Sequence, residues 1–159
     1  MNSSGEAGSW FTPQYTYDES PNPGSVSTIS GAYASAPGFL AGFSDEVIQH
    51  LTEITNITAL HKVDNDGFDG GSETTEDKVF LPSYTEMGFG YNNGIPEGMA
   101  LAKFTSNTLR KKTNLQGLYW MRSPSEYQER VRCISDDGSD NYGMANDGTY
   151  GITPIIVIH

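Results

Sequence analysis

The stretch that decides the fold is residues 118–134, LYWMRSPSEYQERVRCI. Its first part, residues 118–123, is rich in aromatic side chains that favour β-strands, and Pro124 ends it. Its last part, residues 130–134, alternates charged and apolar side chains, as a strand with one buried face does. We therefore predict two strands that form a hairpin-like pair.

The chain after this pair contains turn residues and then a last strand. Residues 135–143, SDDGSDNYG, have the composition of turns. Residues 152–158, ITPIIVI, are apolar enough for a strand inside a sheet, provided that Pro154 lies where an amide hydrogen is not needed.

The chain before the pair predicts a loose front segment and a core. With 159 residues the expected organisation is a single domain, 1–159. Residues 1–38 are crowded with Ser, Gly, Pro and Tyr, but they also carry Trp10 and Phe11. We expect an irregular segment packed on a core formed by residues 39–159.

One helix is predicted near the start of the core. Ser44 is placed to cap it, and acidic residues follow in the first turn. His50 is expected on the surface. The predicted buried stripe has helical spacing and consists of Val47, Ile48, Leu51 and Ile54.

Residues 64–77 form a polar segment that we interpret as a loop. It resembles a calcium loop, but Phe68 and Asp69 occupy the fifth and sixth positions, where an EF-hand needs an oxygen donor and a glycine. A hairpin or surface turn is the preferred interpretation, and a cation site of another kind is the alternative.

Two shorter signals follow. Residues 78–81 predict a short strand, and Ser83 with Glu86 predicts a capping box on a single helical turn that Gly88 ends. The basic run Arg110–Lys112 is interpreted as a solvated face, with an anion site as the alternative.

Charge and cysteine content exclude several classes of protein. Nine Lys and Arg against 20 Asp and Glu give a formal charge of −11, which disfavours binding to nucleic acid and to anionic lipid. No apolar stretch approaches the roughly 20 residues of a membrane span, and the polar start is unlike a secretory signal. Cys133 is the single cysteine, and we expect it to be a small buried hydrophobic residue.

No catalytic, metal or cofactor motif is recognisable. The three histidines, His50, His61 and His159, lack the spacing of a helical zinc pair, and no nucleophile elbow, phosphate loop or dinucleotide fingerprint occurs. Asp136 and Asp137 are interpreted as turn residues rather than paired acids.

The strongest candidates for ligand binding lie near the carboxyl end. Tyrosine and asparagine offer large contact area and adaptable hydrogen bonds, but the same residues also make ordinary turns. The candidate ligand-binding residues are Tyr127, Asp136, Asp137, Asp140, Asn141, Tyr142, Asn146, Asp147 and Tyr150.

Trp120 and Arg122 are two residues apart and are expected to share one face of a strand. Together they are able to anchor a ligand by stacking. The preferred interpretation is structural: a core tryptophan beside an arginine that ties loops together.

Several ordered motifs resemble an uncharacterised domain family of gut bacteria and their phages. They are Asn2-Ser3-Ser4 with Trp10, residues 38–43 (GFLAGF), residues 75–83 (TEDKVFLPS) with Glu86, residues 120–124 (WMRSP, where the family has W-L-R-S-P), and residues 151–154 (GITP, where the family has G-V-x-P). Two positions differ from the family pattern. Thr153 stands where the family frequently has an arginine, and Met1 stands where the family has a leucine that is usually preceded by further sequence. The resemblance implies a shortened domain whose N-terminal strand is absent or supplied by an upstream segment or a partner chain.

The motifs near the carboxyl end are also similar to those of C-type-lectin-like domains. That similarity implies an α+β fold with a twisted, mostly antiparallel sheet, one or two flanking helices and long irregular loops. In such a fold the structural residues would be Trp120, Arg122, Pro124, Gly151 and Pro154, and the loops would form the recognition surface.

Three hypotheses about function follow. The first is a non-catalytic binding module of phage or bacterial origin that recognises a cell-surface protein or glycan. The second is a structural accessory domain of a virion or surface assembly. The third is a hydrolase of unfamiliar type, which predicts a closed pocket with converging carboxylates.

Overall fold

The computed structural model describes residues 43–62, 65–112, 117–145, 147 and 149–159. Within these residues there are two short helices, α1 (Asp45–Gln49) and α2 (Asn107–Arg110). The strands are β1 (Ile54–His61), β2 (Phe68–Asp77), β3 (Val79–Phe80), β4 (Tyr119–Pro124), β5 (Arg130–Ile134), β6 (Asp140–Met144) and β7 (Ile155–Ile156). Most pairing is antiparallel, so the predicted α+β class with a mostly antiparallel sheet is consistent with the structure. The segment 1–38 lies outside the described residues.

In the part of the chain that the structure describes, the strands form three small sheets rather than one. β1 pairs with β2, β3 with β7, and β4, β5 and β6 follow one another in a three-stranded sheet. The chain divides into two compact units, one with residues 43–56, 74–80 and 155–159, the other with residues 57–73 and 81–154. The single-domain organisation stays a prediction. None of the described helices is long and apolar enough to cross a membrane.

Helix α1 begins as predicted but ends early. The Ser44 hydroxyl accepts a hydrogen bond from the Val47 amide, and His50 is the exposed C-cap. The predicted stripe is wrong at Ile54, which starts β1. Ile54, Thr55, Ile57 and Thr58 are β-branched and favour a strand. The Thr52 amide already donates to the Val157 carbonyl at 2.8 Å, so the helix stops before this strand.

The polar segment 64–77 is a strand over most of its length, which the loop prediction missed. β2 runs from Phe68 to Asp77, and Gly67, with φ +100°, lies in the turn that joins it to β1. Over residues 71–76 of β2 half-buried and exposed residues alternate, although apart from Gly71 all have polar side chains. Because neither face is apolar, hydrophobic periodicity gives no signal there. The hairpin interpretation is confirmed.

The three-stranded sheet is the part that the sequence predicted best. β4 and β5 are antiparallel with Tyr119 opposite Ile134, and the hairpin-like pair is confirmed. The turn prediction for 135–143 is wrong beyond residue 139, because β6 pairs with β5 over five residues. The turn itself contains Gly138, whose φ is +85° and where a Cβ atom would clash with the Asn107 carbonyl.

The core of the larger unit lies under this sheet. The buried residues Met87, Tyr119, Met121 and Ile134 pack together, with Tyr84, Phe89 and Phe104 against them. The Tyr119 hydroxyl donates to the Arg110 carbonyl at 2.6 Å, so the one polar atom of this ring is satisfied. Cys133 is fully buried as expected, and burial raises the pKa of its thiol to about 11.

The smaller unit has a core of Leu51 and Val79, with Ile48 and Ile156 among the residues that pack on it. The prediction of a buried final strand over 152–158 is wrong. Only two residues form β7, since they pair with the two-residue strand β3 and Pro154 directly precedes them. Ile158 is 63% exposed.

The capping box is confirmed. The Ser83 amide donates to the Glu86 carboxylate at 2.9 Å, and the Glu86 amide donates to the Ser83 hydroxyl at 3.1 Å. Gly88 follows with φ +75° and ends the turn.

Candidate binding surface

The register of β5 and β6 decides which side chains share a face. Arg130 lies opposite Met144, Arg132 opposite Tyr142 and Ile134 opposite Asp140. Side chains of successive residues on a strand point to opposite faces. Arg130, Arg132, Ile134, Asp140, Tyr142 and Met144 therefore share one face of the sheet. At one end of this face Ile134 packs in the core with Tyr119, and at the other end Arg130 and Met144 are exposed.

On this face a guanidinium and two phenol rings meet. The ring centroids of Tyr127 and Tyr142 are 5.1 Å apart, and the Arg130 Cζ atom is 5.3 Å from the first and 5.2 Å from the second. The three groups form a nearly equilateral triangle, which we call the tyrosine–arginine cluster. Tyr127 and Arg130 are exposed and Tyr142 is half-buried, so the cluster is accessible to a ligand.

Arg132 is two residues after Arg130 on β5, but its guanidinium has different partners. Its guanidinium pairs with Glu126 at 3.0 Å and with Asp140 at 3.5 Å, and it lies 4.7 Å from the centroid of the Tyr84 ring. The two acids accept from its Nη1 and Nη2 atoms, and the ring covers one side of it. Arg132, the cross-strand partner of Tyr142, is therefore held by acceptors of the chain itself.

The hydroxyls on this face are electrostatically coupled to their neighbours. The nearby Tyr142, by charge repulsion and by a hydrogen bond, raises the pKa of Tyr127. Burial, followed by the Asp140 carboxylate, raises the pKa of Tyr84, and the Tyr84 hydroxyl donates to Asp140 at 3.4 Å. Both phenols are therefore neutral hydrogen-bonding groups at ordinary pH.

On the opposite face of the sheet, aromatic side chains pack against the strands. The rings of Trp120 and Tyr150 are 4.4 Å apart, and Tyr150 lies over Gly143, where a Cβ atom would clash with the ring. Asn141 points to this side as the cross-strand partner of Cys133. Two of the predicted ligand-binding residues, Asn141 and Tyr150, are thus on the other side of the sheet from Tyr142.

The predicted acidic residues lie in turns. Asp136 and Asp137 are exposed, and the Asp137 carboxylate accepts from the amide and hydroxyl of Ser139, which lowers its pKa. Asp147 makes the same two bonds with Thr149. The turn interpretation of Asp136 and Asp137 is confirmed for Asp137 by these bonds. Asn146 lies outside the described residues.

The structure therefore brings together only part of the predicted set. Tyr127, Asp140 and Tyr142 share one face, with Arg130 and Arg132, which the sequence reasoning did not select. The signal was present in the alternation of Arg130-Val131-Arg132-Cys133, which places both arginines on the side away from Cys133.

The comparison with protein families concerns almost the whole chain. The model of a family described as a domain of unknown function, DUF6273, matches residues 10–159. The chain belongs to that family. The predicted resemblance to an uncharacterised domain family is confirmed. No curated protein and no solved structure matches the chain.

In this DUF6273 domain Arg122 lies at the centre of a buried polar network. Its Nη1 and Nη2 atoms donate to the two oxygens of Glu86 at 2.6 and 2.7 Å, and Nη1 also donates to the Leu81 carbonyl at 2.7 Å. Nη2 donates to the Ile57 carbonyl at 3.2 Å. The arginine thereby joins β1, the capping turn and β4.

Glu97 completes this network from a fully buried position. Its carboxylate accepts from the Ala59 amide at 2.9 Å and from the Ser123 hydroxyl at 2.5 Å. Burial raises the pKa of Glu97, although both hydrogen bonds and Arg122 oppose the shift. The converging acids Glu86 and Glu97 thus have donors from the chain itself on their carboxylates.

The other residues predicted to be structural in the DUF6273 domain have backbone roles. The Pro124 carbonyl accepts from Asn92 Nδ2 at 3.0 Å. Gly151 accepts from the Trp120 amide at 2.9 Å and donates to the Leu118 carbonyl at 2.8 Å. Pro154 is half-buried directly before β7.

The prediction that the basic run Arg110–Lys112 forms a solvated face is wrong for Arg110. Arg110 is buried, and its guanidinium donates to the Met87, Gly88 and Phe104 carbonyls and lies 3.9 Å from the Phe89 ring centroid. Carbonyls of a tight turn need donors, and the five donors of arginine supply them. Lys111 is exposed and Lys112 half-buried.

Within the described residues, no three His, Cys, Asp or Glu side chains are grouped so as to hold a metal ion. Asp64, in the predicted alternative cation site, lies outside those residues.

Proposed function

We propose that this DUF6273 domain is a non-catalytic binding module, and that its tyrosine–arginine cluster contacts a carbohydrate of a cell surface. The observation that carries the proposal is the accessible triangle of two phenol rings and one guanidinium on the β5–β6 face, 5.1 to 5.3 Å on a side. The proposal includes phage or bacterial origin and a place on a virion or bacterial surface.

The chemistry of the cluster suits a sugar. A pyranose presents apolar C–H groups on its faces and hydroxyls around its edge. A phenol ring offers a flat apolar surface with a polar tip, and a guanidinium offers several donors. Tyr127 and Tyr142 therefore provide stacking surfaces, while their hydroxyls and Arg130 provide hydrogen bonds.

The cluster is also held in place before any ligand arrives, which lowers the entropic cost of binding. Tyr142 and Arg130 are on paired strands. Tyr127 lies in the β4–β5 connection, where its amide donates to the buried Ser125 hydroxyl at 3.1 Å. The next amide, of Gln128, donates to the Asp66 carboxylate at 2.7 Å.

We propose further that the arrangement is C-type-lectin-like. The two motifs on which the resemblance depends lie side by side: Trp120, in WMRSP, bonds through its amide to the carbonyl of Gly151, in GITP. Tyr119 and Gly151 also form a parallel bridge. This contact supports a common frame from which connecting loops recognise a ligand.

A glycan array tests the proposal, with the purified chain applied with and without calcium. We expect binding that Tyr142→Ala and Tyr127→Ala each weaken at least tenfold, since each removes one stacking surface. Tyr91→Ala is the matched control, because Tyr91 is 64% exposed and lies in another loop. Failure of the unmodified chain to bind any glycan, or an equal loss in all three variants, would contradict the proposal.

One observation favours the structural accessory role as a second candidate. Met99 is 84% exposed and Leu101 is also exposed, so the loop that contains them presents apolar surface to solvent. If this loop is an assembly contact, analytical ultracentrifugation will show self-association that Met99→Ser with Leu101→Ser abolishes. A monomer at every concentration would argue against assembly with copies of itself. The hydrolase hypothesis stays a prediction.

A further inference from the structure

We infer that the carbohydrate bound by the tyrosine–arginine cluster is acidic, and that Arg130 receives its carboxylate or sulfate group. This inference rests on the proposed function and adds the class of ligand. It is carried by a difference between Arg130 and the three other arginines of the chain.

The three other guanidiniums donate to acceptors of the chain. Arg110 donates to backbone carbonyls, Arg122 to Glu86, and Arg132 to Glu126 and Asp140. In the part of the chain that the structure describes, the Arg130 guanidinium has neither an ion pair nor a side-chain hydrogen bond. The Arg130 guanidinium lies beside the rings of Tyr127 and Tyr142.

This arrangement leaves the donors of Arg130 available. An aromatic face holds a guanidinium by its charge and its flat surface and uses none of its N–H groups. Planar N–H groups match the two oxygens of a carboxylate or sulfate, and such charge-assisted pairs are about twice as strong as neutral hydrogen bonds. The rings therefore fix the position of Arg130 and leave its donors for an anion.

The charges around the cluster are compatible with an anionic ligand. Glu126 and Asp140 are neutralised in part by Arg132, which lies between them. Glu129 is exposed next to Arg130 in sequence, without an ion pair to it in the described residues. The chain as a whole carries −11 and repels anions at long range. An acidic saccharide is consequently held by close contacts at Arg130 rather than by the general field.

The test is a glycan array in which each acidic saccharide is printed beside its neutral counterpart, either carboxyl-reduced or desulfated. We expect the unmodified chain to bind acidic members at least tenfold more tightly than their counterparts. Arg130→Gln is expected to abolish that ratio, and Arg130→Lys, which keeps the charge without the planar donors, to retain part of it. Lys103→Gln, a change at another exposed cation, is expected to leave the ratio intact.

The outcomes separate this inference from the proposed function. Equal binding of acidic and neutral members, with loss in Tyr142→Ala, would overturn the inference and leave the proposed function standing. Binding to no saccharide would overturn both, as would binding only to an acidic peptide such as polyglutamate, spotted on the same array. Because Arg130 is exposed, its variants are expected to fold, and circular dichroism checks this.

Discussion

Arg122 and Glu86 form a bidentate ion pair in which Nη1 donates to Oε2 at 2.6 Å and Nη2 donates to Oε1 at 2.7 Å. The two side chains are 12% and 11% exposed. The pair joins β4 to the capping turn after β3, and the same arginine bonds to a carbonyl of β1. Gly98 lies so close to Glu86 that a Cβ atom there would be 2.9 Å from Oε1.

Removal of one partner of this pair should destabilise the protein strongly. Arg122→Ala leaves the Glu86 carboxylate buried and unpaired, and we expect a loss of about 3–5 kcal/mol in the free energy of unfolding. Urea denaturation measures it. Arg130→Ala is the control, with an expected loss of less than about 0.5 kcal/mol because that side chain is exposed. Similar losses in the two variants would show that the pair has no structural importance.

Close packing of Tyr150 on the backbone of β6 gives a second prediction. Gly143→Ala places a methyl group against the Tyr150 ring, and we expect a loss of about 1–3 kcal/mol from overpacking. Thermal unfolding of the variant measures the loss. The added cost of the alanine should be smaller in a Tyr150→Ala background, where the ring is gone. An unchanged cost in that background would contradict the contact.

The buried carboxylate of Glu97 makes stability depend on pH. Its pKa is raised in the folded protein, so the folded state binds a proton more tightly than the unfolded state does. The contribution of Glu97 to the free energy of unfolding is most favourable at pH values below 4.5, its ordinary pKa. This contribution declines as the pH rises from there through the raised pKa of the folded state.

Glu97→Gln isolates this effect. The stability of the variant relative to the unmodified protein should increase as pH rises across that window and then become constant. Urea midpoints from pH 4 to pH 8 give the comparison. A constant difference at all pH values, or one that moves the other way, would mean that burial does not raise the pKa of Glu97.

The coupling of two phenols on the candidate surface can be measured without a ligand. Tyr142 is the largest cause of the raised pKa of Tyr127, so Tyr142→Phe should lower the pKa of Tyr127 toward its ordinary value of 10.0. An NMR titration of the Tyr127 ring signals follows the change. If the pKa of Tyr127 does not move, the two hydroxyls are not neighbours in solution.

Sequence predicted the elements in which side-chain pattern and local bonding agree. β4 and β5 were recognisable because aromatic residues and alternating charge indicate strands. Ser44 and the Ser83–Glu86 box were recognisable because short-range bonds satisfy the free amides of a helical turn. Such signals depend on residues at most a few positions apart.

Other features depend on partners far along the chain. β2 is polar on both faces, and β6 has the composition of a turn, so both are strands because of what they pair with. In the sequence Arg110 belongs to a basic run typical of a solvated face. In the structure it is buried and donates to the carbonyls of residues 87, 88 and 104. For the candidate surface, the sequence selected the tyrosines and missed Arg130, whose contacts follow from the register of β5 with β6.

The central claim is that the β5–β6 face with Tyr127, Arg130 and Tyr142 meets the ligand. The most direct measurement is an NMR titration of the labelled chain with the tightest saccharide from the array, recorded residue by residue. We predict that the largest shift changes fall on those three residues and on Arg132, with small changes at Asn141 and Tyr150 on the opposite face. Changes centred on Asn141 and Tyr150, or spread evenly over the chain, would contradict the claim.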